Sequence, residues 1–237
     1  MKLSKRLRQI ESMVTSQYDH IWDCCCDHGF LGAALVAKKA APCVHFVDLV
    51  PDLMDQLESK LKRYFPIVAG SDFASLSYSQ WEVHCMDLCQ LQLKEFKGKH
   101  LVIIAGVGGD LMSAMVEAIT QNNATAEIDF LLCPVHHHYT LRQQLIALDL
   151  GLKAETLMIE NRRYYEIILT APKNNIGVSA MSPVGNTIWQ CPNQDEFNLA
   201  FNYLNKTLAH YKRKQRKNGA EMQPIIDAYS AVTLQLC

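Results

Sequence analysis

Residues 20–32 read His20-Ile21-Trp22-Asp23-Cys24-Cys25-Cys26-Asp27-His28-Gly29-Phe30-Leu31-Gly32. The run from Ile21 to Cys26 predicts a short buried strand. Gly29 ends the turn after it, and Phe30 to Lys39 predicts a helix. In an open α/β sheet, ligands bind at the carboxyl ends of strands, where helix N-termini point outward. Gly29 and Gly32 let backbone N–H groups approach a carboxylate or phosphate at such a place. The spacing is not G-x-G-x-x-G, so the loop alone does not specify a dinucleotide.

Downstream, strands and helices alternate. Val44 to Val47 predicts a second strand, ending at Asp48, nineteen residues after Gly29. An acid at that distance suits the hydroxyls of a ribose; it also suits a cap for the helix that Pro51 opens. That helix has Leu53, Leu57, Leu61 and Tyr64 as its expected apolar face. Trp81 to Cys85 predicts a third strand, followed by Met86 and Asp87. Asp87 reads equally as an acceptor for an adenine amino group or as a solvated loop acid. Leu101 to Ala105 runs into Gly106-Val107-Gly108-Gly109, a turn without large side chains, with a helix from about Asp110. Such a turn leaves room for a cofactor or a flat base.

Phe130 to Cys133 predicts a fifth strand, and Leu141 to Leu150 a helix stopped by Gly151. Ala154 to Ile159 and Tyr164 to Thr170 predict an antiparallel hairpin across the polar turn Glu160 to Arg163. Leu3, Leu7, Ile10 and Val14 predict an amphipathic helix over residues 2–15. Alternating strands and helices imply a mainly parallel sheet covered on both faces. Residues 172–194 hold Pro172, Pro183 and Pro192 with Gly177 and Gly185, and read as an irregular linker. Beyond it, Phe197, Phe201, Leu204, Leu208 and Tyr211 form a helical stripe, and Ile225, Ile226, Tyr229 and Val232 suggest a second helix. The expected division is a Rossmann-like α/β domain over 1–171, a linker over 172–194 and a helical, coiled-coil-like domain over 195–237.

A net charge of -1 over 237 residues gives no overall attraction to nucleic acid, so such a role rests on local patches. Lys2, Lys5, Arg6 and Arg8 form one, and Lys212, Arg213, Lys214, Arg216 and Lys217 another; a solvated helix face is the plainer reading of either. No long apolar run predicts a membrane span, and the basic start lacks the apolar core of a signal peptide. Nine cysteines without a disulfide framework favour free thiols and a cytoplasmic setting. No metal site is expected. Successive side chains of His136-His137-His138 point apart, and Cys85 with Cys89 is too weak a pattern.

The chain resembles the TrmK family, bacterial tRNA (adenine(22)-N1)-methyltransferases. The likeness is carried by Leu3-Ser4-Lys5-Arg6-Leu7, Asp27-His28, Asp48, Asp87, Ile104-Ala105-Gly106-Val107-Gly108-Gly109, Pro134, Arg142 and Tyr165-Glu166. It departs from the family pattern at Cys25, where glycine is usual, and at Cys133-Pro134-Val135, where Gln-Pro-Asn is usual. The resemblance implies a class I methyltransferase sheet with a terminal antiparallel hairpin, S-adenosylmethionine as cofactor and tRNA as partner, in a monomer or homodimer. It implies Asp27 and His28 as the catalytic pair. It places Asp23, Cys25, Gly29, Asp48, Leu49, Met86, Asp87, Ala105 and Gly106 around the cofactor. Gly108, Gly109, Pro134, Arg142, Tyr165, Lys212, Arg213 and Lys214 would meet the substrate. Two rival readings are a methyltransferase for another RNA or a small molecule, and a non-catalytic RNA-binding relative.

Overall fold

The computed structural model describes residues 3–15, 17–66 and 77–236, with 217–220 described as backbone only. Lys2 and the side chain of Lys217 therefore lie outside the described residues. Helix α1 (Lys5–Ser12) is shorter than its hydrophobic spacing suggests, and Ser4 caps it by accepting the Leu7 N–H. Strand β1 (His20–Cys24) is followed by α2 (Phe30–Ala37), β2 (Cys43–Asp48), α3 (Pro51–Tyr64) and β3 (Gln80–Cys85). Then come β4 (Lys99–Ala105), α4 (Gly109–Asn122), β5 (Glu127–Cys133), α5 (His138–Ala147), β6 (Leu150–Glu160) and β7 (Arg163–Pro172).

The seven strands form one sheet in the order β3-β2-β1-β4-β5-β7-β6. All neighbours are parallel except at β7, which runs antiparallel to both β5 and β6. Two non-glycine residues at positive φ, Asn161 and Arg162, turn the hairpin, the backbone a two-residue type I′ turn requires.

Each face of the sheet has its own core. Ile10, Leu31, Leu35, Leu57 and Leu61 from α1–α3 pack on Ile103 and Leu131, while Met112, Val116, Leu141 and Leu145 from α4 and α5 pack on Trp22, Val102 and Ile104. Each such leucine or isoleucine removes enough apolar surface to contribute roughly 1.5–3 kcal/mol.

Three local expectations are corrected. Tyr64 is exposed, and the inward face of α3 is made by Met54, Leu57 and Leu61. Helix α5 ends before Leu148, with Asp149 at positive φ, and Gly151 lies inside β6. There, a Cβ on Gly151 would meet the Ser179 carbonyl oxygen at 2.6 Å. The stretch 172–194 is irregular but not loose: Leu152 and Ser179 exchange backbone hydrogen bonds, and Ile188, Trp189 and Cys191 are buried. Beyond it, β8 (Gln190–Cys191), α6 (Gln194–Asn218), α7 (Gln223–Ser230) and β9 (Gln235–Leu236) complete the chain. Tyr203, Leu204 and Tyr229 pack with Trp189 in a third core, while Phe201 points outward.

Candidate active site and substrate groove

The strand order reverses at β1, whose neighbours are β2 and β4. The crevice at such a reversal is where open α/β sheets bind ligands. The loop leaving β1 there is sharply bent, with Cys25, Asp27 and Gly29 all at positive φ. A non-glycine residue pays about 1–2 kcal/mol for that conformation. A glycine at position 25 would adopt this backbone without that cost, so the bend is kept here with a cysteine in a conformation that favours glycine.

Asp48 holds the bend. Its Oδ2 accepts the Asp27 N–H at 3.0 Å, while Oδ1 accepts those of Leu49 at 2.7 Å and Val50 at 3.2 Å. The carboxylate both caps the entry to α3 and ties the first loop to the second strand. An ionised carboxylate offers about four lone-pair positions, so Asp48 keeps acceptor capacity on its Oδ2. Its backbone carbonyl accepts the Met86 N–H at 3.0 Å, which brings the third strand end to the same place. Asp87 caps the short turn after it by accepting the Cys89 N–H at 2.9 Å.

Asp23 braces the loop from behind. It is buried and accepts the Gly32 N–H at 2.7 Å. Burial pushes its carboxyl up to about 7, against the pull of that N–H and with a further rise from Asp48. A Cβ on Gly32 would lie 2.9 Å from this carboxylate and 2.3 Å from Phe46, so only glycine permits the approach. Cys25 is half-buried, and its thiol is pushed up to about 11, first by burial and then by Asp48, Asp23, Cys89 and Asp87. It stands as a neutral thiol among carboxylates. Asp27 and His28 are both exposed at the loop tip, with His28 Nε2 3.8 Å from Asp27 Oδ1.

Across the crevice, Gly106 has φ +94° and nothing within 4 Å of where a Cβ would sit. The backbone therefore faces open space at Gly106. Gly108 and Gly109 serve a different purpose: a Cβ on either would strike His136 or the His136–His137 backbone. The Gly109 N–H donates to the His136 carbonyl at 2.9 Å, and the Val135 N–H to that of Val107 at 3.0 Å. The fourth and fifth strand ends are thus locked together. His137, itself at positive φ, pairs with Asp110 at 2.5 Å.

The histidine run opens onto a second feature. A groove of about 660 Å³ lies between residues 135–138, the hairpin residues Arg163 and Tyr164, and the α6 residues Lys206, His210, Arg213 and Lys214. His138 Nε2 is buried there with no hydrogen-bond partner among the described residues. No sequence signal marked Tyr164, Lys206 or His210, because three distant segments build the groove.

Two expected substrate contacts are corrected. Arg142 is fully buried. Its Nε donates to Glu166 at 2.8 Å and its Nη2 to Glu155 at 2.5 Å. Glu155 also accepts the N–H groups of Asn186, Thr187 and Ile188, and Glu166 accepts the Tyr203 hydroxyl. Burial works to raise the Glu166 carboxyl, but the guanidinium outweighs it and holds the carboxyl low. This network fastens α5, both hairpin strands, residues 182–188 and α6. Tyr165 is buried too, with the Arg6 guanidinium 5.1 Å above its ring. Pro134 is buried at the end of β5, and its carbonyl bonds the His138 ring.

Residues 3–168 match the model of a family described as Methyltransferase domain. A search of curated protein sequences returns no match. Among solved structures, TrmK of M. capricolum in complex with S-adenosyl-homocysteine is similar at TM-score 0.73 and 16% identity, covering 97% of both chains. The M1A22 tRNA methyltransferase TrmK of B. subtilis is similar at TM-score 0.69 and 16% identity, again covering 97% of each. Magnesium protoporphyrin IX methyltransferase of Synechocystis with bound S-adenosylmethionine is similar at TM-score 0.52 and 17% identity, covering 70% of this chain and 79% of its own.

Proposed function

This chain belongs to the methyltransferase-domain family, and on that premise we propose that it methylates N1 of an adenine in tRNA, at position 22 in the D-arm region, with S-adenosylmethionine as donor. The observation that carries this reading is the extent of the likeness. The two TrmK structures align over 97% of the chain, whereas the porphyrin methyltransferase aligns over 70%. A polynucleotide substrate needs surface beyond the sheet, and the groove along α6 offers cationic and aromatic side chains suited to phosphates and bases.

The residues at the strand ends fit the cofactor. Asp48 has acceptor capacity left for a ribose hydroxyl, and Asp87 stands at the third strand end for the adenine amino group. Gly106 leaves its side of the crevice open. When bound, the cofactor supplies a methyl already activated by its sulfonium. Adenine N1 carries a lone pair at neutral pH, so no strong base is needed and positioning supplies much of the acceleration. Asp27, exposed at the loop tip, offsets the positive charge that develops on the methylated ring. Gly108 and Gly109, packed on the histidine run, shape the base side of the crevice. Work on tRNA places the protein in the cytoplasm. Among the described residues, no helix is long and apolar enough to cross a membrane.

The test is nucleoside mass analysis of unmodified tRNA after incubation with the protein and S-adenosylmethionine. The expected product is N1-methyladenosine. A different methylated nucleoside would redirect the substrate assignment, and no product despite cofactor binding would favour the non-catalytic relative.

A further inference from the structure

Four of the nine histidines meet on the face of the sheet that carries Trp22: His20 on β1, His45 on β2, His84 on β3 and His100 on β4. Parallel pairing sets His45 opposite Glu82, with His84 two residues farther along the same strand. Side chains two apart share a face, so Glu82 and His84 both flank His45. His45 Nδ1 lies 3.0 Å from His84 Nε2 and 3.5 Å from Glu82 Oε2, and His84 Nε2 lies 3.6 Å from that oxygen.

The two nitrogen–oxygen distances match a tetrahedral coordination sphere, and the nitrogen–nitrogen distance of 3.0 Å is somewhat shorter than one. A tetrahedral zinc ion with bonds of about 2.0–2.2 Å holds its ligand atoms about 3.3–3.6 Å apart. A hydrogen bond accounts for the imidazole–imidazole contact, and the carboxylate oxygen stands at ion-pair distance from both nitrogens, so all three ligand atoms converge on one point. The ring of His45 is already fixed. It stacks on Trp22 at 3.8 Å, and Phe96 meets it edge-on at 4.8 Å. Its other nitrogen, Nε2, lies 3.0 Å from His20 Nδ1. An N–H donated to His20 would orient His45 with Nδ1 free to ligate, the usual outer support of a metal-bound histidine. Glu82 is half-exposed, which leaves a fourth position open to water.

We propose that His45, Glu82 and His84 form a site for a divalent transition-metal ion, zinc being favoured by two imidazoles and one carboxylate. The ion would clamp β3, the edge strand, to β2. His84 precedes Met86 by two residues, so the clamp would also steady the strand end that carries Asp87.

The full-length protein, stripped with a chelator and dialysed, is titrated with zinc chloride and analysed for bound metal. One equivalent per chain is expected, with a rise in melting temperature of several degrees. The double variant Glu82→Gln/His84→Gln, whose side chains reach solvent and keep their size, should lose that equivalent and the rise. Circular dichroism checks that it folds. Cobalt(II) in the wild type should show the visible absorption of a tetrahedral site. Failure of the wild type to bind zinc would overturn the proposal. So would a full equivalent retained by the folded double variant, which would place the ion elsewhere in the protein. Loss of the equivalent only in Cys43→Ser/His20→Gln would shift it to the neighbouring group of His20, Cys43 and His45 and equally overturn the site proposed.

Discussion

Asp48 holds the first loop with its carboxylate and is proposed to hold the cofactor ribose as well, so the substitution used to test it has to separate the two. Alanine would strip three backbone N–H groups of their acceptor and disturb the loop as well as the ligand. Asparagine keeps one oxygen acceptor and the shape but removes the charge. Asp48→Asn is expected to weaken S-adenosylmethionine binding by roughly 1.5–3 kcal/mol, the scale of a hydrogen bond to a charged group. Calorimetry on folded protein checks this, and unchanged affinity would remove Asp48 from the cofactor site. Asp27 is tested differently, because the role proposed for it lies in the reaction. A unit charge about 4 Å away in water is worth about 1 kcal/mol, so Asp27→Asn should lower kcat roughly fivefold. Cofactor affinity should hold nearly constant, and equal losses in both would move Asp27 into the binding group.

At the scale of elements, the Arg142 network joins the hairpin to the C-terminal helices, and its energetics follow from burial. Arg142→Met leaves Glu155 and Glu166 buried near each other without their counter-charge. Removing one partner from such a site costs about 3–5 kcal/mol. Urea unfolding should show that loss, and a further Glu166→Gln should restore part of it. A surface arginine that meets only substrate would leave the unfolding midpoint unchanged. The histidine-rich face gives a second expectation. Burial and the neighbouring His20 bring His100 down to about 4, with smaller effects from Phe96, His45 and Asp19. The unfolded chain titrates this histidine near 6.5 and so binds more protons than the folded one between those values. Its contribution is complete above pH 6.5 and is lost progressively as pH falls toward 4. From His100 alone, metal-free protein at pH 5.5 should be about 1 kcal/mol less stable than at pH 7.5. Equal midpoints in denaturant at the two pH values would contradict this.

Across the whole molecule, the proposed function raises the question of where a chain of net charge -1 would attract RNA. The basic run of α6 does not act as one patch. Arg213 and Lys214 line the groove with Lys206 and His210, while Lys212 and Arg216 lie outside that lining. Each phosphate neutralised adds about 0.9 to the slope of log affinity against log salt. Replacing Lys206, Arg213 and Lys214 by Gln should flatten that slope for tRNA by about two to three. Replacing Lys212 and Arg216 should change it less, and cofactor affinity should stay constant in both. Filter binding at several salt concentrations decides, and equal effects of the two sets would dissolve the groove as the docking surface.

Much of this organisation follows from local sequence. Strand and helix periods are set by neighbours within a few residues, so the alternation along the chain was readable, including the hairpin turn at Asn161 and Arg162. The ends of the second, third and fourth strands were readable for the same reason, whereas the first strand stops at Cys24, short of the expected Cys26, because Cys25 already turns into the left-handed region. What the chain alone did not reveal depends on which distant segments meet. Arg142 reads as a substrate contact until Glu155 and Glu166 are seen enclosing it. The groove needs residues 135–138, the hairpin and α6 brought together. His45, Glu82 and His84 have no ligand spacing along the chain, because their grouping arises from the register between β2 and β3. Sequence carries the period of each element; only packing and strand pairing convert separations of dozens of residues into distances of a few ångströms, the scale on which charge and coordination act.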